Sequence, residues 1–116
     1  MIKSVKMKNL TPHEVVVYDD KGDVKLRVKP SGTIARVTTK QEVVGYLNGV
    51  PVVKTEFVEV QGLPKPEDNT VYIVSSLVAQ AVARERGDVV APDTSPRSAV
   101  RDEQGRIIGV RRFQRW

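Results

Sequence analysis

Thr70 to Thr94 reads TVYIVSSLVAQAVARERGDVVAPDT, and this stretch decides the fold. Val71-Tyr72-Ile73-Val74 is a short apolar, β-branched run without alternation. Such a run is expected of a strand buried on both faces. Ser75 and Ser76 follow, and a serine oxygen can accept from the free amides of a helix's first turn. Leu77, Val78, Ala81 and Val82 recur on one face, so a helix is expected over Leu77–Arg86. Gly87 suits a left-handed stop, with Arg84 and Arg86 near the negative end of the helix dipole. Val89-Val90-Ala91 is a second apolar run, closed by Pro92. The reading is strand, helix, strand over residues 70–92. If the strands are parallel, the helix is their crossover, since about a dozen residues suffice for one.

Hairpin signals lie upstream. Lys3–Lys8 alternates like an edge strand. Glu14–Tyr18 and Val24–Lys29 flank the turn formers Asp19–Asp23. Pro30-Ser-Gly32 is a further turn, and Thr33–Thr39 is expected to be a strand. Glu42–Leu47 and Val50–Val60 flank Asn48-Gly49, a pair in which both residues tolerate positive φ. Gly62–Asn69 carries two prolines and reads as a rigid polar connector. After the turn-rich Pro92–Ser98, Ala99–Asp102 and Arg106–Phe113 form a last expected hairpin around Glu103-Gln104-Gly105. The expected architecture over residues 1–116 is one small α+β domain. Its core is a mainly antiparallel mixed β-sheet with one central helix in the strand–helix–strand unit 70–92.

Bulk properties narrow the function. A chain of 116 residues can bury a core without disulfides, and it contains no cysteine. Thiolate chemistry is therefore excluded. No stretch approaches the ~20 apolar residues of a membrane span, and Met1–Leu10 lacks the apolar centre of a secretory signal. A cytoplasmic location is expected, that of the host cell if the chain is phage-encoded. The net charge of +5 is uneven. Three lysines lie in residues 1–8 and six arginines in residues 97–116, whereas residues 9–96 are nearly neutral. Basic ends of this kind serve solubility or an anionic partner.

Parallel strands 71–74 and 89–91 would end on one sheet edge, where open α/β arrangements bind ligands. That edge would gather Ser75, Ser76, Asp93, Thr94, Ser95 and Arg97. Helix amides and hydroxyls suit a phosphate or carboxylate, and a carboxylate suits a sugar hydroxyl. Asn9, Thr11 and the single histidine, His13, form a second polar cluster before a buried strand. The alternative is structural: the serines cap the helix, and Asp93-Thr94 makes a turn. The chain has no Gly-rich phosphate loop and no set of metal ligands, so no cofactor or metal is expected. Arg86-Gly87-Asp88 spells an adhesion tripeptide but reads physically as a helix end and a strand start. Arg111, Arg112, Arg115 and Trp116 could stack on bases, yet six aromatics in the chain are few for a nucleic-acid platform.

The runs NLTPHEVVVYDD, GLPKP, VYIVSSLVAQA and RGDVVAPDTSPRSAVRDEQGRIIGVRR, with PSG and IARV between them, cover nearly the whole chain. Together they resemble a family of small proteins from phages, prophages and bacteria. The resemblance implies a partner-binding protein: some phage proteins of this size inhibit host enzymes, and others sequester nucleotide signals of bacterial immunity. It transfers no site residue. The expectation is a non-enzymatic sponge for a small anionic, nucleotide-type ligand, with homo-oligomers allowed. The alternative is a protein-binding inhibitor of a host factor or a structural phage component. Nucleic acid and membrane are not expected as partners.

Overall fold

A computed structural model describes residues 5–116. Its elements in order are β1 (Lys6–Asn9), β2 (Val15–Tyr18), β3 (Val24–Val28), β4 (Arg36–Leu47) and β5 (Val50–Gln61). There follow β6 (Thr70–Ile73), α1 (Ser76–Val82), β7 (Val89–Pro92), β8 (Ala99–Arg101), β9 (Ile107–Val110) and β10 (Phe113–Gln114). The protein is a small mixed α/β structure with one short helix. Where a single curved sheet is expected, the described residues form three: β1-β6-β7-β10, β3-β2-β9-β8, and β4-β5 alone. The expected edge strand at Lys3–Lys8 begins at Lys6 among the described residues; its first part lies outside them.

The first sheet is the middle layer. β6 pairs in parallel with β1 on one side and β7 on the other, with Tyr72 opposite Val89 and Ile73 opposite Val90. Tyr72, Ile73 and Val74 are fully buried, which is why their run does not alternate in polarity. Alternation survives in direction instead. Tyr72, Val74, Val89 and Ala91 pack toward α1, with Leu10, Ala35, Val78, Ala79 and Val82. Ile73 and Val90 face the opposite way, into a cluster with Val15, Val17 and Val110 of the second sheet. Strand periodicity thus serves two cores from one strand.

The ends of α1 differ from expectation. The helix stops at Val82 instead of Arg86, and its cap, Ala83, is right-handed. Gly87 is not among the positive-φ glycines. Arg86 has another task. Its guanidinium donates to both Asp88 carboxylate oxygens, at 2.9 and 3.0 Å, and to the Pro64 carbonyl at 2.8 Å. It also lies over the Tyr72 ring, 5.8 Å from the centroid. The Asp88 bond comes first in holding the guanidinium pKa above its usual value, and the Arg86 bond likewise lowers that of Asp88. The Arg-Gly-Asp run is therefore an internal clamp that fastens the proline connector to β6.

The last hairpin also departs from expectation. β9 ends at Val110, and Phe113–Gln114 crosses to pair antiparallel with β7 in the other sheet. Thr33–Ala35 is not strand; β4 begins at Arg36 and runs unbroken to Leu47. With β5 it makes a hairpin of two 12-residue strands, turned at Asn48 (φ 51°) and Gly49 (φ 81°). Positive φ at both positions is the primed turn that asparagine and glycine favour. Among the described residues, the arm packs on the α1 core at its base, through Val37 and Val60.

Candidate functional site

Where β6 and β7 end, the first sheet meets β2 and β9 of the second. Between them lies a cleft of about 370 Å³. Ser75 and Ser76 enter it from the start of α1, Thr94 from the segment after β7, and Thr11, His13 and Glu14 from the segment before β2. Its apolar wall is Val15, Val74, Pro92, Ile107, Ile108 and Val110, with Val16 and Gly109 completing the lining. Parallel pairing explains the gathering, since strands that run the same way finish on the same edge. Gly109 has a packing reason: an added Cβ would run into the Tyr18 ring and the Val16 carbonyl oxygen.

The loop before β2 is held by Asn9. Its side chain has no exposed surface. The amide nitrogen donates to the carbonyls of His13 at 2.7 Å and Val28 at 3.0 Å. The amide oxygen accepts from the Thr11 backbone N–H at 2.9 Å and the Thr11 hydroxyl at 2.6 Å. Two donors and two accepted bonds use the side chain's ordinary capacity. Asn9 therefore positions Thr11 and His13 and does not itself reach the cleft.

Asp93 is also occupied. It is buried, with one carboxylate oxygen accepting from Arg112 Nε at 2.6 Å and the other from the Ser95 N–H at 3.0 Å. The Arg112 bond leads in holding its pKa down at about 2, with the Ser95 bonds adding to it. Ser98, fully buried, accepts from the N–H groups of Arg111 and Arg112 at 3.1 and 3.2 Å. The Pro92–Ser98 loop is thereby tied to the chain after β9.

Of the nine residues expected to form the site, Thr11, His13, Ser75, Ser76 and Thr94 line this one cleft. The other four do not. Asn9 and Asp93 are buried posts, Ser95 supplies the N–H that Asp93 accepts, and Arg97 is exposed and absent from the lining. Arg112, not Arg97, is the arginine that reaches the Asp93 loop. The helix amides contribute less than expected too. α1 has seven residues, and its Val78 N–H is turned to the Ser75 hydroxyl at 3.4 Å.

Sequence reasoning missed the hydrophobic wall from β9 and the role of Glu14. Ile107-Ile108 was readable as strand, but nothing local tells that it faces Ser75. Glu14 accepts from Arg27 Nη1 at 3.0 Å, so the cleft's carboxylate is partly neutralised. Among the described residues no group of three or more His, Cys, Asp or Glu side chains converges as a metal site. No helix there is long and apolar enough to cross a membrane. Compared with family models, with curated proteins and with solved structures, the chain finds no match.

Proposed function

We propose that the cleft between the two sheets reversibly binds a small, nucleotide-type anionic ligand, without turning it over. The reading takes the strand–helix–strand unit of residues 70–92 as the frame of the site. The observation that carries it is the division of the cleft. An apolar wall from Val15, Ile107 and Ile108 faces four hydroxyls, one imidazole and one carboxylate, from Thr11, Ser75, Ser76, Thr94, His13 and the Arg27-paired Glu14. A flat base suits the wall, while sugar and phosphate oxygens suit the polar side. The volume of about 370 Å³ lies in the range of small-molecule sites. Arg27 offsets Glu14, the one charged side chain of the lining, and the net charge of +5 attracts an anion at long range.

Binding without chemistry is favoured by how the reactive groups are used. The Ser75 oxygen accepts a helix amide, and Asp93 is engaged by Arg112 and Ser95. A nucleophile needs a base in reach, and a base needs a third group to orient it. The resemblance to phage-type proteins adds a biological setting, sequestration of a nucleotide signal, including a cyclic one.

Titration calorimetry against a panel of linear and cyclic nucleotides tests the ligand half. Binding by at least one member is expected, weakened on the order of tenfold by His13→Ala through loss of a hydrogen bond. Chromatography of the recovered ligand tests the other half. No binding across the panel overturns the ligand assignment, and a cleaved product overturns the absence of turnover.

A further inference from the structure

The β4–β5 arm is out of proportion to the body. Strands of 12 residues reach about 40 Å at ~3.4 Å per residue, against a longest molecular dimension of 53 Å. The radius of gyration is 16.6 Å, where a compact chain of this length has about 13 Å. From Thr38 to Glu59 no residue is buried. A two-stranded hairpin with nothing on its faces is marginal in water.

Its two faces differ. Register puts Val43 opposite Val53, Gln41 opposite Thr55, Thr39 opposite Phe57 and Tyr46 opposite Pro51. The slip between Val43 and Gly45 sets Val44 aside as a bulge, so these four rows share one face. That face carries no charge. Val43, Tyr46, Val53 and Phe57 are each between 45% and 68% exposed on it. The reverse face holds Lys40 opposite Glu56 and Glu42 opposite Lys54.

We propose that the uncharged face of the arm is a self-association surface, covered by the same face of a second copy of this chain. Two observations select a copy over another occupant. The rows run Phe57, Thr55, Val53, Tyr46 from base to tip, with an aromatic at each end. A copy laid antiparallel about a two-fold axis sets Phe57 against Tyr46 and the valine pair on the Thr55–Gln41 row, so the face complements itself. The arm is electrically neutral, with Arg36, Lys40 and Lys54 balanced by Glu42, Glu56 and Glu59, while the whole +5 lies elsewhere. Neither an anionic membrane nor nucleic acid finds its attraction there, and two copies meet without repulsion along the arm.

Sedimentation equilibrium or light scattering of the full chain across the micromolar range tests this. The expected species has twice the 12.9 kDa chain mass. Val53→Lys with Phe57→Lys is expected to raise the dissociation constant on the order of 100-fold, because two cations would be desolvated in the contact. Both positions are exposed in a single copy, so circular dichroism should not change. A monomer throughout the range, or a variant that associates as the parent does, overturns the proposal. Should the variant fail to fold, cysteine placement decides, since the chain has none of its own. Val53→Cys is expected to be joined between copies by a short bis-maleimide and Lys40→Cys on the reverse face is not; the opposite pattern overturns the assigned face.

Discussion

Two valine-rich strands of this protein meet opposite fates. Val71-Tyr72-Ile73-Val74 lies in the middle layer, and its last three residues have no exposed surface. Val50-Pro51-Val52-Val53 is as apolar, yet its valines are 37–61% exposed. Local preference is the same in both, since β-branched residues favour extended backbone. What differs is the number of layers. β6 has a helix on one side and a second sheet on the other, whereas the arm beyond Val37 and Val60 has neither. Strand formation and burial are thus separate outcomes, and only the first is local.

The contrast is breakable at its deepest point. Tyr72→Ala empties a fully buried aromatic site and removes the hydroxyl that donates to the Lys65 carbonyl at 3.0 Å. A loss of about 3–5 kcal/mol in denaturant unfolding is expected. Val53→Ala, measured dilute enough to keep copies apart, should stay within about 0.5 kcal/mol. Equal losses would mean the arm is packed in the isolated chain.

The join between arm and body comes next. Gly62 has φ +80°, and a Cβ there would strike the Ile34 carbonyl oxygen. Gly62→Ala should cost about 1–3 kcal/mol, the scale of enforced backbone strain. Gly49 at the arm's tip also has positive φ but open space around it, so Gly49→Ala should cost about 1–2 kcal/mol, from backbone conformation alone. If the two glycines respond alike, the close approach at Ile34 carries no weight.

Ser75→Ala probes the cleft's edge. Loss of the cap to Val78 should cost about 0.5–2 kcal/mol, toward the lower end because the bond is long at 3.4 Å. A fall in nucleotide affinity beyond that caused by an equally destabilising core change would place Ser75 in contact with the ligand.

The smallest effect is a pH dependence. Arg112 first, and Ser95 after it, hold the folded Asp93 pKa at about 2, below the ~3.9 of an unfolded aspartate. A depressed folded value means that the stabilisation is complete above the unfolded pKa and is lost as pH falls through the folded one. The stability gap between the parent and Arg112→Ala should therefore be constant above about pH 5 and close between about pH 4 and pH 2. A gap that persists at pH 2 would show that Arg112 acts through packing.

Asn48-Gly49 needed no tertiary information, because its turn depends on two adjacent backbones. The capping role of Ser75 was equally local. Arg86 was read as a helix-end cation, and Arg97 as the arginine gathered at the sheet edge beside Asp93. Both readings failed for one reason: guanidinium partners lie anywhere the chain passes. Pro64 is 22 residues from Arg86, and Asp93 is 19 from Arg112. The cleft was half legible. Its hydroxyls follow from where parallel strands end, but half of its apolar wall comes from β9, whose pairing with β2 no nearby residue announces.

By itself the sequence determined which segments favour extended backbone, the turn at Asn48-Gly49, the serine cap that starts the helix, and the lack of thiol chemistry. Those follow from steric freedom, hydrogen-bond capacity and composition, all properties of neighbouring residues. Only the tertiary structure decided that the strands divide into three sheets, that Asn9 and Asp93 are buried posts, and that one long hairpin stands clear of the body. Those outcomes depend on which surfaces meet across the fold. That is a competition among all apolar faces for a limited interior, and no single segment carries its result.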